Sequence, residues 1–84
     1  MNAQESKLGR AEQIRATLNG YGFGGPALTA RVWVGGNRVR VYLRCDGRDM
    51  GKVVFVGGIA RIEDSLLGAR HQAVMDAIAP YLSP

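Results

Sequence analysis

The chain is predicted to be an α+β protein, a two-layer α-β-β-β-α sandwich. Its antiparallel sheet has three strands, with a short stretch available for a fourth, and two helices packed on one face. Three observations lead there. Residues 28 to 45, LTARVWVGGNRVRVYLRC, alternate with period two on either side of Gly35-Gly36-Asn37, the pattern of a β-hairpin. Segments near both ends carry apolar residues at three- and four-residue steps, the pattern of helices that bury one stripe. The hairpin is aliphatic on one side only, so two helices suffice to cover the side that needs covering.

The first helix spans about Gln4 to Asn19, with Leu8, Ala11, Ile14 and Leu18 as its buried stripe. Gly9 weakens its first turns, and Asn19-Gly20 supplies a left-handed stop. GYGFGGP, residues 20–26, is then a flexible connector whose aromatics cap the edge of the core. A phosphate-cradling glycine loop would leave a strand and enter a helix; this one does the reverse. Gly20-Tyr21-Gly22-Phe23 overlaps the aromatic centre of an RNA-recognition pattern, but Asn19 and Gly24-Gly25-Pro26 break the basic lead and the strand that it requires.

In the hairpin, Ala30, Val32 and Val34 share a side with Val39, Val41, Leu43 and Cys45. Arg31, Trp33, Arg38, Arg40, Tyr42 and Arg44 occupy the other. Asp46 to Gly51 reads as the next turn and Lys52–Val56 as a third strand, apolar on both faces, so that either Val53 and Phe55 or Val54 and Val56 point inward. After Gly57-Gly58, Ile59–Ile62 is a short fourth strand or an extended approach to the last helix. That helix begins at Asp64 or Ser65, where Glu63 and Asp64 suit the helix dipole, and ends near Ala79 before Pro80. Leu67, Val74 and Ile78 form its stripe, with Leu66, Ala73 and Ala77 beside them.

At 84 residues the chain is one domain, 1–84, with residues 1–6 and 83–84 as ragged ends. A hydrophobic content of 46% suits a folded core rather than a disordered chain. No apolar run is long enough for a bilayer, the start lacks the apolar centre of a secretion signal, and a lone cysteine forms no internal disulfide. The expected setting is the cytoplasm.

Catalysis is not expected. His71 is the sole histidine, Cys45 faces the core, and Asp46 and Asp49 are accounted for by turn chemistry. No metal site or cofactor is expected either. The net charge of +4 comes from nine arginines and two lysines set against seven acids. Between residues 31 and 61 stand seven basic residues against Asp46 and Asp49, and a basic middle suits an acidic partner. Arginine forks pair with phosphate or carboxylate and stack on rings. The candidate site is therefore Arg31, Trp33, Arg38, Arg40, Tyr42 and Arg44. The same residue types also make good solvated strand faces.

The element order is similar to that of double-stranded RNA-binding domains. Those domains open their last helix with a phosphate-gripping lysine cluster; here Glu63, Asp64, Ser65 and Leu66 stand instead, so no RNA-gripping residues carry over. In format the chain also resembles small single-domain inhibitors from phages and mobile elements, anti-CRISPR proteins among them. That resemblance implies a protein that blocks a nucleic-acid-processing complex by occupying a surface. Many such inhibitors are acidic DNA mimics, and the charge of +4 departs from them. The leading expectation is engagement of a protein partner, free or in a nucleoprotein complex. Direct DNA or RNA binding is the alternative, and a homodimer through the same face is a third reading.

Overall fold

The computed structural model describes residues 3–84, and the backbone alone for Ala3. Helix α1 (Ala3–Leu18) leads into a meander of four antiparallel strands: β1 (Thr29–Gly35), β2 (Arg38–Cys45), β3 (Arg48–Val56) and β4 (Ile59–Glu63). A single 3-10 turn (Gly68–Arg70), helix α2 (His71–Ile78) and a second 3-10 turn (Ala79–Tyr81) follow. The expected α+β architecture, with helices packed against an antiparallel sheet, is what the chain forms, and the fourth strand is real.

Tight hairpins set the register. Gly36 alone has positive φ in the first two-residue loop, whereas both central residues do in Asp46-Gly47 and Gly57-Gly58. Such primed geometry matches the right-handed twist of the strands it joins. The second loop corrects the expected six-residue turn, because Arg48–Gly51 are strand. Their irregularity is a bulge instead: Leu43 pairs with Gly51 and Arg44 with Asp49, leaving Met50 unmatched. Gly51 has φ +119, and a Cβ there would sit 3.1 Å from both the Glu63 carbonyl oxygen and the Ser65 Cα. The bulge thus seats residues 63–66 against the strand, and the Leu66 N–H donates to the Met50 carbonyl at 3.0 Å.

One contiguous core lies between sheet and helices, built from Ala11, Ile14 and Leu18 of α1, the inward residues of the strands, and Leu67, Val74 and Ile78. The pairing of Val41 with Val53 decides the third strand: Val53 and Phe55 point inward, Val54 and Val56 outward. Cys45 is buried, as its place on the inward face requires. Leu8 stays more than a third exposed, since in the first turns the stripe passes to Lys7 and Arg10. Lys7 Nζ donates to the Asn37 carbonyl at 2.7 Å. Arg10 donates to the carbonyls of Tyr81 and Leu82 and lies 5.0 Å above the Phe55 ring, with partial burial lowering its pKa. Helix α1 continues through Gly9, and Ala3–Ser6 are helical where ragged chain was expected. Met1 and Asn2 lie outside the described residues.

The last helix departs most from expectation. Gly68 takes φ +59 and Asp64 φ +53, so the chain turns through residues 64–68 before any helix starts. Glu63 closes β4 and Asp64 pairs with Lys52 at 3.1 Å; neither serves a helix dipole. Leu66, expected on the helix flank, is 67% exposed. Ser65 caps this turn: the Leu67 N–H donates to its Oγ, which lies 2.9 Å from His71 Nδ1. Helix α2 then runs back alongside α1. At one end Arg70 reaches the connector after α1; at the other, the carbonyls of Tyr81 and Leu82 meet Arg10.

The glycine-rich connector is held at both ends rather than loose. Tyr21 and Leu28 pair through backbone at 2.8 Å, and Arg70 Nη1 donates to the carbonyls of Gly22 (3.1 Å) and Pro26 (2.7 Å). Arg70→Ala is expected to cost about 1–3 kcal/mol, because two carbonyls lose a charged donor. Faster amide exchange confined to residues 20–28 would accompany it, and unchanged exchange there would refute this role for Arg70. Among the described residues no helix is long and apolar enough to cross a membrane.

Candidate binding face on the open side of the sheet

Helix α1 packs under β1 and β2, leaving the other face of the sheet without a helix. Alternation along paired strands puts Arg31, Trp33, Arg38, Arg40, Tyr42 and Arg44 together there, as the sequence pattern predicts. The register settles Val54 and Val56, one of the two pairs left open by the sequence, as the outward residues of β3, and it adds residues that sequence reading missed: Lys52 from β3, and Ile59, Arg61 and Glu63 from β4. The signal for them lay in the hairpin loops, which fix which residues face one another, and the apolar run of the third strand hid it.

One cross-strand row, Trp33–Arg40–Val54–Arg61, crosses the middle of this face. The Arg40 guanidinium carbon lies 5.3 Å from the Trp33 ring centre, so this side chain leans toward β1. Its Nη1 also donates to Tyr42 Oη at 3.1 Å. The Trp33 and Tyr42 rings meet edge-on, with centroids 6.4 Å apart and planes at 82°. Trp33 lies along its own strand above Gly35, where any Cβ would collide with the ring. The three side chains thus hold one another in place before any partner arrives. Trp33 remains 42% exposed, while Val54 is 7% exposed although it points away from the core. Its register partners on either side are Arg40 and Arg61. Beside this row, Val56 and Ile59 pair across the β3–β4 hairpin and are each about half exposed.

Charge on the face is uneven. Arg61 pairs with Glu63 at 2.7 Å, Lys52 with Asp64 at 3.1 Å, and Arg44 lies 4.0 Å from Asp49. Arg31, Arg38 and Arg40 have no carboxylate within salt-bridge distance among the described residues. The β3–β4 half is thereby balanced, and the β1–β2 half is cationic.

No group of three His, Cys, Asp or Glu side chains among the described residues could hold a metal ion. The Ser65–His71 contact, which spacing alone did not suggest, has the look of a nucleophile and base. Its oxygen, however, already accepts from the Leu67 N–H as part of the turn into α2. The arrangement on the open face is suited to holding a partner by charge and ring contact. Comparison with known protein families, with curated proteins and with solved structures gives no match for the chain.

Proposed function

We infer that the protein is a non-enzymatic binding module whose open sheet face engages an acidic surface of a protein partner. The observation that carries this reading is the preassembled Trp33–Arg40–Tyr42 cluster, standing beside Val54, Val56 and Ile59 with uncompensated arginines around it. An apolar, ring-bearing centre with a charged rim is how protein interfaces are built, and tryptophan, tyrosine and arginine are the residues that dominate their energetics. In its narrower form the partner is a nucleic-acid-processing complex of the CRISPR type, blocked by occupation alone. The small format and the dense face support that form.

The test is capture from nuclease-treated lysate with the wild-type protein and with a charge-reversed variant, Arg38→Glu/Arg40→Glu. A protein retained after nuclease by the wild type and lost by the variant is the expected result; one held equally by both would sink the reading. Once the partner is in hand, Trp33→Ala and Arg40→Ala should each weaken binding by about 1–3 kcal/mol while the thermal transition persists. A second reading, direct nucleic-acid binding, is favoured by the cationic β1–β2 half. Contacts to several phosphates would make affinity fall steeply from low to physiological salt. An electrophoretic shift with duplex and single strands at two salt concentrations checks it, and the absence of a shift at low salt removes it.

A further inference from the structure

Resting on the reading of the open face as a docking surface for an acidic protein, we propose that the partner adds a β-strand to the free edge of β1. The added strand would alternate acidic and apolar side chains. The argument begins with backbone direction. The Ala30 N–H donates to Asn19 Oδ1 at 3.0 Å, so it points away from β2. In an antiparallel ladder such outward groups recur at every second residue. The register is continuous from Thr29–Arg44 to Gly35–Arg38, so the N–H and C=O of Val32 and Val34 point outward as well. The start of this margin is occupied: Leu28 exchanges both backbone bonds with Gly20 and Tyr21, and Asn19 takes Ala30. Nothing comparable meets Val32 or Val34 among the described residues. The opposite margin differs, because the Ala60 N–H of β4 donates to the Leu82 carbonyl at 2.7 Å.

Natural sheets guard such edges with charged side chains, lysine above all, with proline or with a bulge. Residues 29–35, TARVWVG, hold no lysine or proline, β1 pairs without a bulge, and Arg31 is its single charge. Val34 is 49% exposed on the helix-facing side of this edge. A strand laid along it would set alternate residues beside Val32 and Val34, where apolar side chains fit. The residues between them would share the open face with Arg31 and Trp33, under the guanidinium of Arg40 that already leans over β1. Those positions call for carboxylates, since Arg31, Arg38 and Arg40 lack them among the described residues. A second copy of the chain offers the reverse, more arginine beside arginine. Charge therefore selects an acidic strand over self-pairing.

The probe is a short blocked peptide alternating valine and glutamate, added to the full chain while amide hydrogen exchange is followed by NMR. Exchange at Val32 and Val34 should slow about tenfold or more, with little change at Arg31 and Trp33, whose amides already bond β2. N-methylation of the peptide on its bonding side, or Val34→Pro in the protein, should weaken binding by about tenfold, because a donor is lost. Proline is tolerated at such an edge position, where its missing N–H breaks no ladder bond. Shifts at Arg31, Trp33 and Arg40 without amide protection would overturn strand addition and leave the docking face standing. No response to the peptide would overturn the strand mode alone, since the charge-reversal capture tests the face separately. Protection that rises with protein concentration, without peptide, would assign the edge to a second copy and overturn the proposal.

Discussion

Leu18→Ala is expected to lower the free energy of unfolding by about 2–5 kcal/mol, measured by chemical denaturation. Leu18 is fully buried at the end of α1, where the helix meets the inward residues of β1 and β2. Helix α2 and the edge strands close round the same space, so little can move in to fill it. Domains of this size hold about 5–15 kcal/mol in all, and each kcal/mol lost shifts the midpoint by about 4–8 °C. The substitution should therefore be visible as a large drop in melting temperature. Leu8→Ala, on the same helix but more than a third exposed, should cost about 1 kcal/mol or less. Equal effects at the two positions would mean that α1 does not face the sheet as described.

Gly51→Ala should cost about 2–4 kcal/mol, although it adds one methyl group to a strand. Two causes combine. The φ of +119 is one that side chains rarely adopt, and the new Cβ would press on the backbone of residues 63–65. Those atoms belong to the crossing strand end, so relief requires moving the turn that Leu66 fastens to Met50. Gly9→Ala is the matched control with the opposite sign. Gly9 lies in a helix with open space around it, and alanine there should stabilise by about 0.5–1 kcal/mol. A Gly51→Ala variant as stable as the wild type would remove the bulge's role in seating the last quarter of the fold.

Period two made the hairpin and its six candidate residues legible, because every second side chain must share a face. The same rule failed on the third strand. KVVFV is apolar at each position after its lysine, so only pairing with Val41 could orient it. Val54, the outward residue in the middle of that run, is nevertheless only 7% exposed between its register partners Arg40 and Arg61. The last helix departs from its local sequence signals for a different reason. Ser65 is a good cap and Glu63-Asp64 good first-turn acids, yet Glu63 finished a strand and Asp64 found Lys52. Gly68 at positive φ then moved the helix start to His71. These local signals hold as chemistry and mislead as position. The bulge at Met50 left no sequence mark apart from the glycine that follows it.

The hydrogen bond from Ala60 to Leu82 has a bearing on stoichiometry. A sheet open at both margins can grow without limit, each newcomer exposing another acceptor row. Here Leu82 already holds the Ala60 N–H on the β4 margin, so a strand added there would have to displace it. Head-to-tail stacking of copies, β1 of one against β4 of the next, is thereby obstructed, and an open-ended filament built that way is not expected.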